Sequence, residues 1–146
     1  MVGFNFRRNM FYKILTTLLI VFLSSACGGN TSDSIVGTWK LVSYGEAANL
    51  THPIPEVDTS ITFNTDGSVG GNVGCNTLGG KYKVSGNKIV FSEMLYTAMG
   101  CEEPLMNQES AVFGLLNGER TFTYEESNGT LVILSLDEKH AIALQK

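Results

Sequence analysis

KYKVSGNKIVFSE, residues 81–93, is the stretch that decides the fold. Apolar and polar residues alternate on both sides of Gly86-Asn87, as they do in strands that have one buried face. A glycine–asparagine pair between two such segments is typical of a two-residue hairpin turn. The stretch therefore predicts two antiparallel strands, at 81–85 and 88–93.

The same pattern recurs on both sides of this hairpin. Turn residues such as Thr65-Asp66-Gly67 and Asn128-Gly129 separate further short segments of strand character. These predicted strands are 35–44, 59–63, 68–75, 121–125, 130–136 and 139–144. Because the connections are short, neighbouring strands are expected to be antiparallel. The sequence thus predicts a mainly β, single-domain, antiparallel β-barrel-like fold of seven or eight strands.

Two segments depart from this pattern. Residues 45–57 contain Pro53 and Pro55, and prolines at this density predict a loop. Residues 104–117 instead have apolar positions at helical spacing, and the stripe consists of Leu105, Glu109, Val112, Phe113 and Leu116. Pro104 suits the first turn of a helix, and Gly118 suits its end. We predict one amphipathic helix before the last three strands, packed on the sheet or closing one end of the barrel.

Length and charge restrict the function. A chain of 146 residues suits one domain. Its 14 acidic and ten basic side chains are unevenly spread, since residues 1–30 contain three bases and no acid. The remainder has 14 acids and seven bases, and its single arginine is Arg120. Such a surface would repel a phosphate backbone, which excludes nucleic-acid binding.

The N-terminus is typical of an export signal. Basic residues precede the apolar run 14–26, which is too short to span a membrane and ends in small residues. Residues 23–27, LSSAC, resemble a bacterial lipobox, whose cysteine is lipidated and becomes the new N-terminus. We therefore predict a lipoprotein signal peptide at 1–26, a lipidated Cys27 with a flexible tether at 27–34, and a folded domain at 35–146. An ordinary cleaved signal peptide is the alternative.

Two cysteines, Cys75 and Cys101, remain for the folded domain. An even pair in an exported domain favours a disulfide. A catalytic thiol is the alternative, and it would need His52 or His140 as its base. Two isolated histidines do not make a metal cluster. We predict no catalytic residue, no metal site and no cofactor.

Two motifs around these cysteines resemble those of one family. They are Gly74-Cys75-Asn76 followed by Gly79-Gly80-Lys81-Tyr82, and Thr97-Ala98-Met99-Gly100-Cys101 followed by the helix. With them the chain resembles the META domain, the family of the bacterial heat-shock protein HslJ, over about 35–144. The resemblance implies a small antiparallel β-barrel with one helix and a disulfide between the two cysteines. It also implies an exported, often lipid-anchored protein without established catalytic residues, linked to envelope stress or drug tolerance.

Three of the motif positions form a candidate binding patch, which consists of Asn76, Tyr82 and Thr97. The alternative role for Asn76 and Thr97 is to cap local backbone groups with their side chains. We expect the patch to contact another component of the cell envelope.

A second resemblance keeps another function open. Gly37-Thr38-Trp39 is similar to the G-x-W of lipocalin-type barrels, and a small barrel can hold one small ligand. In lipocalins an arginine on the last strand stacks on the tryptophan, whereas the end of this chain has Lys139, His140 and Lys146 but no arginine. This departure favours a non-catalytic META-type protein over a lipocalin-like carrier of a small apolar ligand. An enzyme that uses His52 or His140 is the third alternative.

The expected location and partners follow from the N-terminal signal. Cys27 would attach the protein to a membrane through its lipid. Gly28 is not the Asp that resembles an inner-membrane retention signal, so we expect the outer membrane, with the domain facing the periplasm. We expect a monomer that binds an envelope protein.

Overall fold

Short hairpins build a closed barrel in residues 34–146, the part of the chain that the computed structural model describes. Its strands are β1 (Gly37–Glu46), β2 (Asn49–Thr51), β3 (Ser60–Phe63), β4 (Ser68–Asn72), β5 (Thr77–Ser85), β6 (Lys88–Tyr96), β7 (Gly118–Glu125), β8 (Thr130–Leu134) and β9 (His140–Gln145). The helix α1 (Glu103–Leu115) connects β6 to β7. Strands β3 to β9 are paired in chain order, and β1 closes the barrel between β9 and β3. The pairings are antiparallel, which confirms the predicted mainly β barrel with a helix before the last three strands.

Because the strands alternate in direction, the barrel has two distinct ends. At one end β1 begins and β9 finishes, with Lys40 paired to Gln145. Trp39 lies at this end and donates a hydrogen bond to the carbonyl of Ile35, close to the first described residue; we call it the tryptophan end. The opposite end is formed by α1 and by the connections 47–59 (which include β2), 73–76, 97–102 and 135–139; we call it the helix end.

Apolar side chains from alternate strand positions occupy the barrel interior. In β3, Ile61 and Phe63 are buried while their neighbours are more exposed, and β8 repeats this with Leu131 and Ile133. This alternation is the period-two pattern of a sheet with one buried face. Fully buried large side chains include Trp39, Ile61, Phe63, Ile89, Leu131, Ile133, Ile142 and Leu144. In an eight-stranded barrel, side chains of this size are enough to fill the enclosed space.

The segment that follows β4 differs from its prediction. The sequence predicts a strand over 68–75, but β4 ends at Asn72, whose side-chain oxygen accepts the N–H of Gly74 at 2.8 Å. The carbonyl of Val73 then accepts a hydrogen bond from the helix instead of from a strand. The chain bends here, and β5 starts at Thr77, earlier than the predicted start at Lys81. The predicted loop 45–57 also contains β2, which pairs with the end of β1.

The buried face of α1 is more polar than an amphipathic stripe predicts. The helix begins at Glu103 and is followed by the capping residue Leu116, so it is shorter than the predicted 104–117. Its buried residues are Gln108, Glu109, Val112 and Leu115. The two polar ones need internal hydrogen-bond partners. Among residues 34–146, no helix has the length and hydrophobicity needed to cross a membrane.

Candidate functional site

Asn76 is a buried residue at the centre of a hydrogen-bond network at the helix end. Its side-chain oxygen accepts hydrogen bonds from the Thr97 hydroxyl at 2.9 Å and from the Met99 N–H at 2.8 Å. Its side-chain nitrogen donates to Glu109 Oε2 at 2.8 Å and to the Met99 carbonyl at 3.2 Å. A side-chain amide has two donors and an oxygen with two lone pairs. Asn76, which is buried, therefore uses its full hydrogen-bonding capacity inside the protein.

The carboxylate of Glu109 holds Asn76 from the helix side. One of its oxygens accepts the backbone N–H of Asn76, and the other accepts the Asn76 side-chain amide. Burying a carboxylate is costly unless it is hydrogen-bonded, and these charge-assisted bonds offset part of that cost. Gly74 lies directly against it, since a Cβ at Gly74 would be 2.8 Å from Glu109 Cγ. A glycine at this position leaves room for the buried carboxylate.

Gln108 ties α1 to two further segments of the helix end. Its side chain is fully buried. Its Oε1 accepts the N–H of Ile54 at 2.8 Å, and its Nε2 donates to the Val73 carbonyl at 2.5 Å. Ile54 belongs to the loop 47–59, and Val73 follows β4. Helix α1 and the two loops therefore form one hydrogen-bonded unit.

A disulfide between Cys75 and Cys101 closes the same network covalently. The two Cα atoms are 6.4 Å apart, within the range that disulfides span. The bond joins the turn beside Asn76 to the residue before Glu102, which is the N-cap of α1. Both sulfurs are used in this bond, so the alternative of a catalytic thiol has no free sulfur here. His52 Nδ1 instead lies 3.2 Å from the Val42 carbonyl.

The network fixes an exposed segment, residues 95–106. Tyr96 stacks on Phe113 with ring centroids 4.3 Å apart, and its hydroxyl donates to the Leu116 carbonyl at 3.2 Å. Partial burial raises the pKa of Tyr96 above its ordinary value. Leu95 nevertheless remains 76% exposed, and Met99 remains 56% exposed. The segment is thus well anchored and still presents apolar side chains to solvent.

Most of the exposed large hydrophobic side chains lie at this end. Residues 34–146 have seven of them, and Val90 on the barrel wall is the exception. The other six belong to β2, to segment 95–106 or to the loop after β8, and they are Leu50, Leu95, Tyr96, Met99, Met106 and Leu136. Four of them lie within segment 95–106, and exposed apolar side chains concentrated in one segment mark an interaction site more often than scattered residues do.

The connections at the helix end are acidic. Glu102 and Glu103 are exposed and take part in none of the four ion pairs found among residues 34–146. Further acidic residues of these connections are Glu56, Asp58, Asp137 and Glu138. Lys139 is the lysine of these connections, and it lies 4.0 Å from Asp137. The helix end therefore combines exposed apolar residues with negative charge.

A cleft of about 370 Å³ opens at the helix end between two turns. It is lined by Glu46, Ala47, Ala48, Glu138, Lys139 and His140. The N–H of Ala47 donates to the Lys139 carbonyl at 2.8 Å, which holds the two turns together. Within residues 34–146, no group of three or more His, Cys, Asp or Glu side chains is arranged to hold a metal ion.

The tryptophan end is closed by packing. Trp39 is fully buried, and Tyr124 meets it edge to face with ring centroids 5.8 Å apart. The amine of Lys146 lies 4.8 Å from the centre of the Trp39 ring, a cation–π contact. The sequence has no arginine for this position, and the structure brings Lys146, the residue after β9, over the tryptophan instead.

The predicted site residues are only partly brought together. Asn76 and Thr97 are hydrogen-bonded, with Asn76 buried and Thr97 exposed. Tyr82 contacts another part of the barrel, where its hydroxyl donates to the Asn64 carbonyl at 2.8 Å and its ring packs edge to face on Phe63. The predicted lipidation site lies outside the described residues.

Two residues of the network were missed from the sequence. Gln108 was not singled out, and Glu109 was assigned only to the helical stripe. A signal was available, because a carboxylate within a stripe of apolar residues must find a buried partner if that stripe faces the core. The identity of the partner, Asn76, could not be deduced from this signal.

These features define a small β-barrel domain whose helix is bonded to one end by a polar network and a disulfide. The sequence matches the family model of the META domain over residues 33–146, and the chain therefore belongs to the META domain family. The family and the barrel fold support a non-enzymatic protein of the envelope type, and META domain proteins are typically exported.

Three solved structures share the fold. A protein from Burkholderia xenovorans, determined by NMR, is 18% identical with a TM-score of 0.63, over 78% of this chain and 84% of that one. A second NMR structure is 16% identical with a TM-score of 0.60, and the match covers 78% of this chain and 93% of that one. A crystal structure of a DUF4847 family protein from Bacteroides vulgatus is 16% identical with a TM-score of 0.55, and the match covers 76% of this chain and 92% of that one. At these identities the similarity concerns the fold alone. No curated protein sequence matches the chain significantly.

Proposed function

We propose that this protein is a lipid-anchored, non-catalytic envelope protein of the META type that acts by binding another envelope component at its helix end. The observation that carries the proposal is that six of the seven exposed large hydrophobic side chains in residues 34–146 lie at that end. Exposed apolar groups concentrated in one region support a binding surface. The link to envelope stress or drug tolerance rests on the resemblance to the family.

The anchoring of segment 95–106 supports this role. The Asn76 network, the disulfide and the stacking of Tyr96 on Phe113 attach the segment to the rest of the domain at several points. Binding is weakened when side chains and loops must be ordered on contact, and a segment that is already ordered avoids this cost. In this proposal Thr97 and Met99 meet the partner, and Asn76 positions them.

The direction of the chain supports the same orientation. Cys27 precedes Ser34 by seven residues, so a tether between them reaches at most about 25 Å. A lipid on Cys27 would hold the tryptophan end towards the membrane, and two or more acyl chains would do so stably. The helix end would then face away from the membrane, and Gly28 supports the periplasmic side of the outer membrane.

A lipocalin-like carrier is the second candidate, and the contact of Lys146 with Trp39 favours it. The buried side chains of the barrel interior oppose it, because they take the space that a ligand would need. If the protein carries an apolar molecule, a lipid or drug panel should change the fluorescence of Trp39. Unchanged emission with every compound of the panel would remove this candidate.

Photo-crosslinking in intact cells tests the binding role. A photoreactive amino acid replaces Met99, and the control is the same replacement at Val90, which is 40% exposed on the barrel wall. We expect a discrete crosslinked product from position 99 and none from position 90. The proposal fails if neither position, or both positions equally, give the product.

Cell fractionation tests the anchor separately. Cys27→Ala removes the thiol that a lipid would modify, so the full chain should leave the membrane fraction while its folded domain is unchanged. The matched control is Ser25→Ala, which keeps the cysteine. A Cys27→Ala protein that stays in the membrane fraction would contradict lipid anchoring.

A further inference from the structure

We propose that the partner at the helix end is a protein whose contact surface has an apolar centre surrounded by lysine and arginine side chains. This inference rests on the proposed function and specifies the chemistry of the partner. Its basis is segment 95–106, in which the exposed carboxylates of Glu102 and Glu103 lie in the same stretch of chain as exposed leucine, tyrosine and methionine side chains.

Ion pairs within the protein neutralise only part of the negative charge at this end. Glu102 and Glu103 are adjacent and exposed, and the four ion pairs of residues 34–146 do not include them. Of the other nearby acids, Asp58 lies 3.9 Å from Lys40 and Asp137 lies 4.0 Å from Lys139. All these side chains are largely in water, where such pairs contribute little. A basic partner would find a field of complementary sign, which speeds encounter and fixes orientation.

The apolar centre has the composition of a binding surface. Met99 and Met106 are 56% and 45% exposed, and Leu95 is 76% exposed. Methionine is enriched at protein interfaces and adapts to the shape of its partner. Contact of these side chains with an apolar patch would supply affinity, while Glu102 and Glu103 at the edge would supply selection by charge.

Two other occupants fit the charge less well. A second copy of this chain would bring one acidic helix end against another, and like charges in contact oppose association. A membrane surface with anionic lipids would repel the same acidic residues, because such surfaces attract lysine and arginine. A basic protein surface therefore matches the helix end best.

The test uses the full chain in intact cells with the photoreactive amino acid at position 99. Three backgrounds are compared: the otherwise unchanged chain, Glu102→Gln with Glu103→Gln, and Glu125→Gln with Glu126→Gln. The control pair is also adjacent and exposed, but it lies at the tryptophan end. Both double variants remove two negative charges, so a general effect of net charge would change them equally. Thermal unfolding of the purified variants checks that each is folded.

We expect the helix-end variant to lower the yield of crosslinked product at least about threefold, as the loss of two exposed charge pairs would. The control variant should change it less than about 1.5-fold. Mass spectrometry should identify a crosslinked partner peptide that contains or directly adjoins lysine or arginine.

Other outcomes separate this inference from the proposed function. A product that is a lipid, a second copy of this chain or a peptide without nearby basic residues would overturn the basic partner. The basic partner would also be overturned if neither double variant changed the yield of crosslinked product. The absence of any product from position 99 would overturn the proposed function together with this inference.

Discussion

The tryptophan end and the helix end close the same barrel with different interactions. At the tryptophan end, a buried indole packs against Tyr124 and is covered by Lys146. At the helix end, Asn76 and Glu109 form directional hydrogen bonds, and a disulfide adds a covalent link. The first end is closed by packing around an aromatic ring, whereas the second adds hydrogen bonds and a covalent link to the packing of Val112 and Leu115.

This difference explains how the helix end can be both ordered and exposed. Apolar packing orders a segment by burying its side chains, so those side chains are lost as a binding surface. Hydrogen bonds between the Asn76 side chain and the Met99 backbone, one in each direction, order segment 95–106 through its main chain instead. The Met99 side chain then remains free to contact a partner.

Removing the indole should have the largest effect. Trp39→Ala leaves a cavity in the core and is expected to lower the free energy of unfolding by about 3–5 kcal/mol. Val90→Ala on the exposed wall should change it by less than about 0.5 kcal/mol. Chemical denaturation of both purified proteins measures the difference. A loss of under about 1 kcal/mol for Trp39→Ala would show that packing does not close this end.

Removing the disulfide should come next. Replacing Cys75 and Cys101 by serine is expected to lower the free energy of unfolding by about 3–4 kcal/mol for a sequence separation of 26. Hydrogen exchange should accelerate most in segment 95–106 and in α1, while the fluorescence of Trp39 stays unchanged. Equal acceleration at the two ends would argue against their independence.

Asn76→Ala is expected to cost about 3 kcal/mol, because it removes one partner of the buried Glu109 carboxylate and the partners of partly buried groups of Thr97 and Met99. Asn128→Ala is the matched control, since Asn128 is exposed in a turn at the tryptophan end, and its effect should stay under about 1 kcal/mol. A double-mutant cycle with Glu109→Gln should reveal coupling between the two side chains. Additivity within about 0.5 kcal/mol would contradict the network.

A smaller effect is expected from filling the space beside Glu109. In Gly74→Ala the new Cβ would meet the buried carboxylate, so we expect a loss of about 1–3 kcal/mol. Gly79→Ala is the control, because a Cβ there has no heavy atom within 4 Å among the described neighbours. Thermal and chemical unfolding compare the two variants. If both are equally stable, Glu109 is not confined by Gly74.

The smallest effects should come from one aspartate at each end. Hydrogen bonds from the Ser68 hydroxyl and N–H lower the pKa of Asp66, and those from the Ser135 hydroxyl and the Lys139 N–H lower the pKa of Asp137. Since each pKa is lower in the folded state than in the unfolded state, the stabilisation is present above the unfolded pKa. It is lost as the pH falls through the folded pKa. NMR titration of the side-chain carboxyl carbons checks this, and a pKa at or above the ordinary value would contradict it.

Much of the architecture could be predicted because it depends on neighbours along the chain. Gly86-Asn87 and Asn128-Gly129 mark hairpins whose geometry is set within a few residues, and Pro104 marks the start of a helix. The bend after Asn72 was missed, because the strand pattern of 68–75 continues through it. The helix donates to the Val73 carbonyl there, and this contact is not local.

The sequence by itself determined the strands, the helix, the pair of cysteines available for a disulfide and the acidic character of the domain. Only the tertiary structure decided that Glu109 meets Asn76, that Gln108 joins two loops, and that Lys146 covers Trp39. It also decided that the exposed apolar and acidic residues gather at one end. Local patterns follow from backbone preferences and side-chain periodicity, whereas these pairings join residues far apart in sequence and depend on how the barrel closes.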